Sequence, residues 1–159
     1  GEDSSYFPLY LLVGSFPVIG AIVLRVWARG YIRAEGFVMD GPYRYVRNPV
    51  ELGAVIAYVG AGIIMGLPML YTLVAAVSAV AYISLASFAF ERDLLMSVGG
   101  VYLRYCKRVR KWIPSSLPGT NRTARTYSLL HGLKFERESL VWLLGYLVVF
   151  AVRQRLLHS

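Results

Sequence analysis

The side chains able to do chemistry concentrate around one stretch, GPYRYVRNP, Gly41 to Pro49. Tyr43, Arg44, Tyr45 and Arg47 stand between Gly41-Pro42, which imposes a turn, and Asn48-Pro49, which starts a helix: proline suits a first helical turn, and asparagine can cap free amides. At a membrane surface such residues serve as an anchor, tyrosines at headgroup level and arginines on phosphates. Glu51 asks for more than an anchor. It falls in the first turn of an apolar helix, where an ionisable residue beside lipid is costly and points to a functional site. Two neighbours are in reach: Arg47, four residues back, and Glu91, which follows the charge-free run beginning just after Glu51. Brought together, two carboxylates, two arginines and several tyrosines would line one mouth, a polar pocket in an apolar bundle.

The elements that must position these residues are membrane helices. Of the 159 residues 57% are hydrophobic and 16% charged, with mean hydropathy +0.52, values wrong for a soluble domain. Tyr6 to Leu24 is charge-free over 19 residues and Leu52 to Phe90 over 39, whereas a bilayer span takes about 20. A first helix is expected from about Tyr6 to Ala28, bent near Pro17 and Gly20, with Arg25 snorkelling to the interface. Gly66-Leu67-Pro68 divides the longer run into a tight hairpin. Gly53, Ala57, Gly60 and Ala61 on its first arm, and Ala75, Ala76, Ser78 and Ala79 on its second, Pro68 to Phe90, permit close helix packing. From Glu91 to Trp112 the pattern turns amphipathic and basic, a segment for the interface interrupted at Gly99-Gly100. After a loop, Ser139 to Val152 offers a last apolar run of 14 residues: a short tilted span, a re-entrant segment or a packed helix. The expected fold is an all-α polytopic membrane bundle forming a single domain over residues 1–159, with four apolar helices, two of them in a hairpin, plus an amphipathic interfacial segment.

The net charge is +8, and 15 of the 17 Lys and Arg fall in two segments, Arg25 to Arg47 and Arg92 to Arg137. Basic loops face the cytoplasm, so both segments and the pocket mouth are assigned there, with the N-terminus outside. The membrane surface accounts for the charge, and with no recognised binding motif nucleic acid is not an expected partner. Glu2 and Asp3 precede the first run where a cleavable signal would be basic, so that run is expected to stay in the protein. Cys106 is the only cysteine, which excludes an internal disulfide; with two separated histidines, His131 and His158, no metal site is expected. Glu136 and Glu138 read as helix caps or as residues reaching the mouth.

Three segments carry a family resemblance: LRVWARG (Leu24 to Gly30), DGPYRYVRNPVELG (Asp40 to Gly53) and ERDLLMSVGGVYLRYCKRVRKWIP (Glu91 to Pro114). In order and separation they resemble the isoprenylcysteine carboxyl methyltransferase and phospholipid methyltransferase group of integral-membrane enzymes, over roughly residues 20–114. Within the C-terminal extension 115–159, the tail from Thr126 to Val152 resembles the extension of some bacterial members, which implies a bacterial inner membrane. The resemblance implies a methyltransferase using S-adenosylmethionine enclosed at the cytoplasmic face, and a lipophilic small-molecule acceptor entering sideways from the membrane lipids. Tyr43, Tyr45, Arg47, Asn48, Pro49, Glu51 and Gly53 fall on its first motif; Glu91, Tyr102 and Tyr105 fall on its second. All are implied cofactor-site residues except Arg47, which with Glu91 is an implied catalytic residue. Arg47 would orient an acceptor carboxylate or phosphate through paired hydrogen bonds, and Glu91 or Glu51 could serve as base for an amine acceptor.

Four positions depart from the family pattern. Asn48 stands for the usual histidine, Glu51 for a tyrosine, Phe90 for the first glutamate of a pair, and Arg110 for a proline. A second reading therefore keeps the fold without the activity: a non-catalytic subunit packed in a larger membrane complex. A third, drawn from sterol reductases, lacks a dinucleotide fingerprint.

Overall fold

The computed structural model of the chain describes residues 7–31, 37–115 and 126–137, together with 141, 144, 145, 148 and 152. Among these residues every regular element is helical: α1 (Phe7–Arg29), a short 3-10 turn (Gly41–Arg44), α2 (Pro49–Ile64), α3 (Met69–Val98) and α4 (Gly100–Arg108). A further helical stretch covers residues 129–137. Most of the run 139–152 lies outside the described residues; the five that are described there are helical.

Small residues dictate how α1 meets α2. The two helices run antiparallel, with Gly14 beside Gly60 and Ile64, and Gly53 beside Ala21 and Arg25. A Cβ at Gly60 would stand 2.8 Å from the Gly14 carbonyl oxygen, and one at Gly14 would stand 2.7 Å from that of Gly60. The backbones thus touch where glycine alone fits, the packing mode that serves helices in lipid. Val18 and Ile64 fill the seam, with Ile22 against them.

Two helices, Leu9–Arg29 and Met69–Val98, are long and apolar enough to cross a membrane; α2, at 16 residues, is shorter than a usual span. The turn after α2 closes through Gly66 N to Ile63 O at 3.0 Å and Leu67 N to Gly62 O at 3.1 Å, and Thr72 of α3 packs over Gly62. No residue of α3 is buried. Its large apolar side chains, among them Met69, Tyr82, Leu85 and Phe88, are open to the surroundings.

α3 does not stop at Phe90, where an interfacial segment was expected to begin, but continues through Glu91 to Val98. Glu91, Arg92, Leu94, Leu95 and Met96 are good helix formers and nothing among them breaks the backbone. At 1.5 Å per residue its 30 residues make a rod of about 45 Å, longer than the ~30 Å hydrocarbon core, so in an upright span the charged end from Glu91 to Val98 would project. The break comes at Gly99, whose φ of +60° suits glycine alone, and α4 sets off from there in a new direction. The expected amphipathic segment is therefore two pieces, the charged end of α3 and the short helix α4.

Candidate active site

The GPYRYVRNP stretch is held by its own turn and by a distant segment. Gly41, with φ +58°, opens the 3-10 turn, which closes through Tyr43 N to Asp40 O and Tyr45 N to Pro42 O, 3.2 and 3.0 Å. Beyond it the backbone lies against residues 110–115. Arg47 N donates to Arg110 O at 2.9 Å, Asn48 N to Lys111 O at 3.3 Å, and Ser115 N to Tyr45 O at 2.7 Å. The Tyr105 hydroxyl, from α4, donates to Tyr43 O at 2.7 Å. Lys111 Nζ and Trp112 Nε1 then reach α3 at the hydroxyls of Ser87 and Ser84, 2.8 and 3.0 Å. Under this layer Met39, Tyr102, Tyr105 and Val109 form a small core with Phe37, Leu94 and Val98 around it. Phe37 meets both tyrosine rings edge-on at centroid distances of 5.3 and 5.0 Å, a favoured aromatic geometry.

Between the foot of α2, the charged end of α3 and α4 lies a cavity of about 820 Å³, within the ~300–1,000 Å³ of small-molecule sites. Arg29, Tyr43, Arg47, Asn48, Glu51, Glu91, Tyr102 and Tyr105 line it, with Phe37, Phe90, Leu94 and Phe135 as its apolar wall. Arg47 Nη1 donates to Cys106 Sγ at 2.9 Å and lies 3.8 Å from Glu91 Oε2. Its Nε is buried with no hydrogen-bond partner. Lys111 Nζ comes within 2.9 Å of Glu91 Oε1, an ionic approach, yet that oxygen is buried without an aligned hydrogen bond. The wall therefore offers one unmet donor, Arg47 Nε, beside a carboxylate already held by a cation, and a buried donor without a partner is costly to desolvate. Among the described residues no ion pair engages Glu51.

Burial pushes the hydroxyls of Tyr43, Tyr102 and Tyr105 well above the ordinary phenol value. At Tyr43 the Glu51 carboxylate adds to this and Arg29 opposes it. At Tyr102 a hydrogen bond with Cys106 adds to it. All three stay neutral in physiological conditions and act as hydrogen-bonding walls, not as bases.

Of the residues expected from sequence, Tyr43, Arg47, Asn48, Glu51, Glu91, Tyr102 and Tyr105 meet at this cavity. Tyr45, Pro49 and Gly53 stand outside its lining: Tyr45 is exposed, Pro49 is fully buried in the helix foot, and Gly53 lets Arg25 pass close to α2. Asn48 precedes α2 without a side-chain capping bond and faces the cavity instead. Arg47 pairs with Glu91 and not with Glu51. Cys106 is more than an apolar contact, because its sulfur accepts from Arg47. Arg29, Phe37 and Phe135 were missed; Arg29, one turn after Arg25, reads in isolation as another interfacial cation. Glu136, expected as a cap or as a residue reaching the mouth, is buried between Arg25 and Arg29 and does not itself line the cavity.

The described helices are apolar and carry a polar, two-signed cavity at one end. Residues 9–98 match the phospholipid methyltransferase family, and the chain belongs to that family, whose members are membrane methyltransferases. The matched region holds the first motif and α3, while α4 and residues 126–137 lie beyond it. No curated protein and no solved structure matches the chain.

Proposed function

We propose that the protein transfers a methyl group from S-adenosylmethionine to a lipophilic acceptor, carboxylate or amine, at this cavity. The observation that carries the reading is the make-up of the wall: Arg47 Nε, buried with no hydrogen-bond partner among the described residues, beside the carboxylates of Glu91 and Glu51. They fit a cofactor with a carboxylate, hydroxyl and amino donors, and a sulfonium. When bound, that cofactor supplies an electrophilic methyl. Arg47 would take an oxyanion, Glu91 a donor, and Glu51 the positive charge, while the neutral tyrosines and Phe37 exclude water. Methyl transfer asks for little covalent help, and fixed geometry of this kind supplies about 7–11 kcal/mol of barrier lowering. Phe90 both lines the cavity and is 65% exposed on α3, so it marks a lateral edge through which an acceptor reaches the site from lipid.

In this reading the chain is one membrane domain whose basic face and cavity mouth are cytoplasmic, in a bacterial inner membrane. Calorimetric titration of S-adenosylmethionine and S-adenosylhomocysteine into detergent-purified protein tests it without a guess about the acceptor. Saturable binding that falls at least tenfold in Arg47→Ala and Glu91→Gln is the expected result. The absence of binding to folded protein would shift the weight to a second reading, a non-catalytic subunit of a membrane complex. That alternative rests on α3, a 30-residue helix with none of its residues buried.

A further inference from the structure

One charged cluster has no part in that reading. Glu136, from the helical stretch 129–137, is 1% exposed and lies between two guanidinium groups of α1. Its Oε1 accepts from Arg25 Nε at 2.6 Å, and its Oε2 lies 3.1 Å from Arg29 Nε, an ionic approach without an aligned hydrogen bond. Arg25 also donates to Val50 O at 3.2 Å, and Arg29 to Phe135 O at 2.5 Å. Of these three residues only Arg29 lines the cavity, so the cluster meets the cavity through a guanidinium, which is always charged. Its planar fork has five N–H donors, and the hydrogen bond to Phe135 O together with the ionic contact to Glu136 holds the rest in a set orientation. Beside it the Phe135 side chain gives the same wall an apolar surface.

We propose that Arg29 is an oxyanion-binding residue for the acceptor, an amphiphile carrying a phosphate or carboxylate, and that Glu136 is the positioning residue that aims it. The proposal rests on the methyl-transfer reading of the cavity and deepens it. Arg47, paired with Glu91, serves one pole, and Arg29, beside Tyr43 and Phe135, serves the other. Both Phe135 and Glu136 come from beyond the family-matched residues, so the acceptor end of the site is built in part by this chain's own C-terminal segment.

The test compares two probes in neutral detergent, dihexanoyl phosphatidic acid and its uncharged counterpart dihexanoylglycerol, with S-adenosylhomocysteine titrated in parallel and folding followed by circular dichroism. The wild-type protein should prefer the phosphate-bearing probe at least tenfold. Arg29→Gln should abolish that preference while leaving S-adenosylhomocysteine affinity within twofold, and Arg29→Lys, which keeps the charge without the fork, should restore part of it. Glu136→Gln should lower the preference several-fold; an increase would mean that Glu136 only neutralises Arg29, and the positioning role would fall. Loss of S-adenosylhomocysteine affinity in Arg29→Gln with the lipid preference intact would assign Arg29 to the cofactor carboxylate and overturn the proposal. A wild type without preference, or one unchanged by both Arg29 substitutions, overturns it as well. Should wild type bind no S-adenosylhomocysteine yet show the Arg29-dependent preference, the methyl-transfer reading fails and the oxyanion residue stands.

Discussion

Where α1 crosses the far half of α2, contact is made by what is missing: Gly14 and Gly60 bring backbone against backbone, and most large apolar side chains face outward. At the other end of the same helices contact is made by long charged side chains, with Arg25 and Arg29 on Glu136 and Arg47 and Lys111 on Glu91. The difference follows from the two solvents. In lipid, apolar surface gains nothing by burial, so helices associate through close fit. At the membrane edge, water competes for polar groups, and fixed pairs and backbone hydrogen bonds must order a loop that has little apolar core of its own.

Removing Glu136 attacks the polar end most directly. Glu136→Ala leaves two part-buried guanidinium groups facing each other, and a loss of about 3 kcal/mol is expected. Thermal denaturation in detergent measures it, and an unchanged melting point would mean that the ion pairs do not hold this end together. Gly60→Leu tests the other end. Forcing a side chain against the Gly14 carbonyl and Val18 should cost about 1–3 kcal/mol, with Gly60→Ala costing less. Cys106→Ala takes away the acceptor of Arg47, worth about 0.5–1.5 kcal/mol, and should weaken S-adenosylhomocysteine binding several-fold in calorimetry without moving the melting point comparably. Leu85→Ala, on a fully lipid-accessible face, should change stability by less than about 0.5 kcal/mol. A larger loss would show that α3 packs against a partner chain.

The smallest effect near neutrality concerns the buried phenols. Their folded pKa values lie above the unfolded value near 10, so the folded state holds protons that the unfolded chain releases. Stability should be flat with respect to these groups below pH ~10 and fall as pH rises beyond it. Ultraviolet titration checks this: Tyr43→Phe should remove one late-titrating phenol, and ionisation of Tyr43 near the ordinary value would contradict its burial.

Of the four apolar helices expected, α1 and α3 were legible because lipid imposes a length and a lack of charge that show directly in sequence; α2 is shorter than a span, and the fourth lies mostly outside the described residues. Tyr43, Arg47, Asn48, Glu51 and Glu91 were legible by residue type and line one cavity, whereas Tyr45, Pro49 and Gly53 of the same motif lie outside its lining. The end of α3 was misplaced because a change in solvent at Glu91 was read as a change in backbone, whereas the helix stops only where Gly99 takes a left-handed conformation. Pairing among charged residues was the least legible. Arg47 has Glu51 one turn away yet turns to Glu91, and Arg25 finds its partner 111 residues further on. Such choices depend on which segments fold against each other, and no local spacing records them.

The same 111-residue separation orders events in time. A chain emerging from the ribosome can insert α1, pack α2 against it through Gly14 and Gly60, and extend α3 while the cavity still lacks a wall. Arg25 and Arg29 meanwhile sit at the surface without their carboxylate, able to rest on lipid phosphates. Only when Glu136 has been synthesised can the two arginines be drawn inward and Phe135 set in place. The cavity wall is thus completed only after α1, α2 and α3 have been made, and a nascent chain stalled before Phe135 would carry these helices with the cavity open on that side.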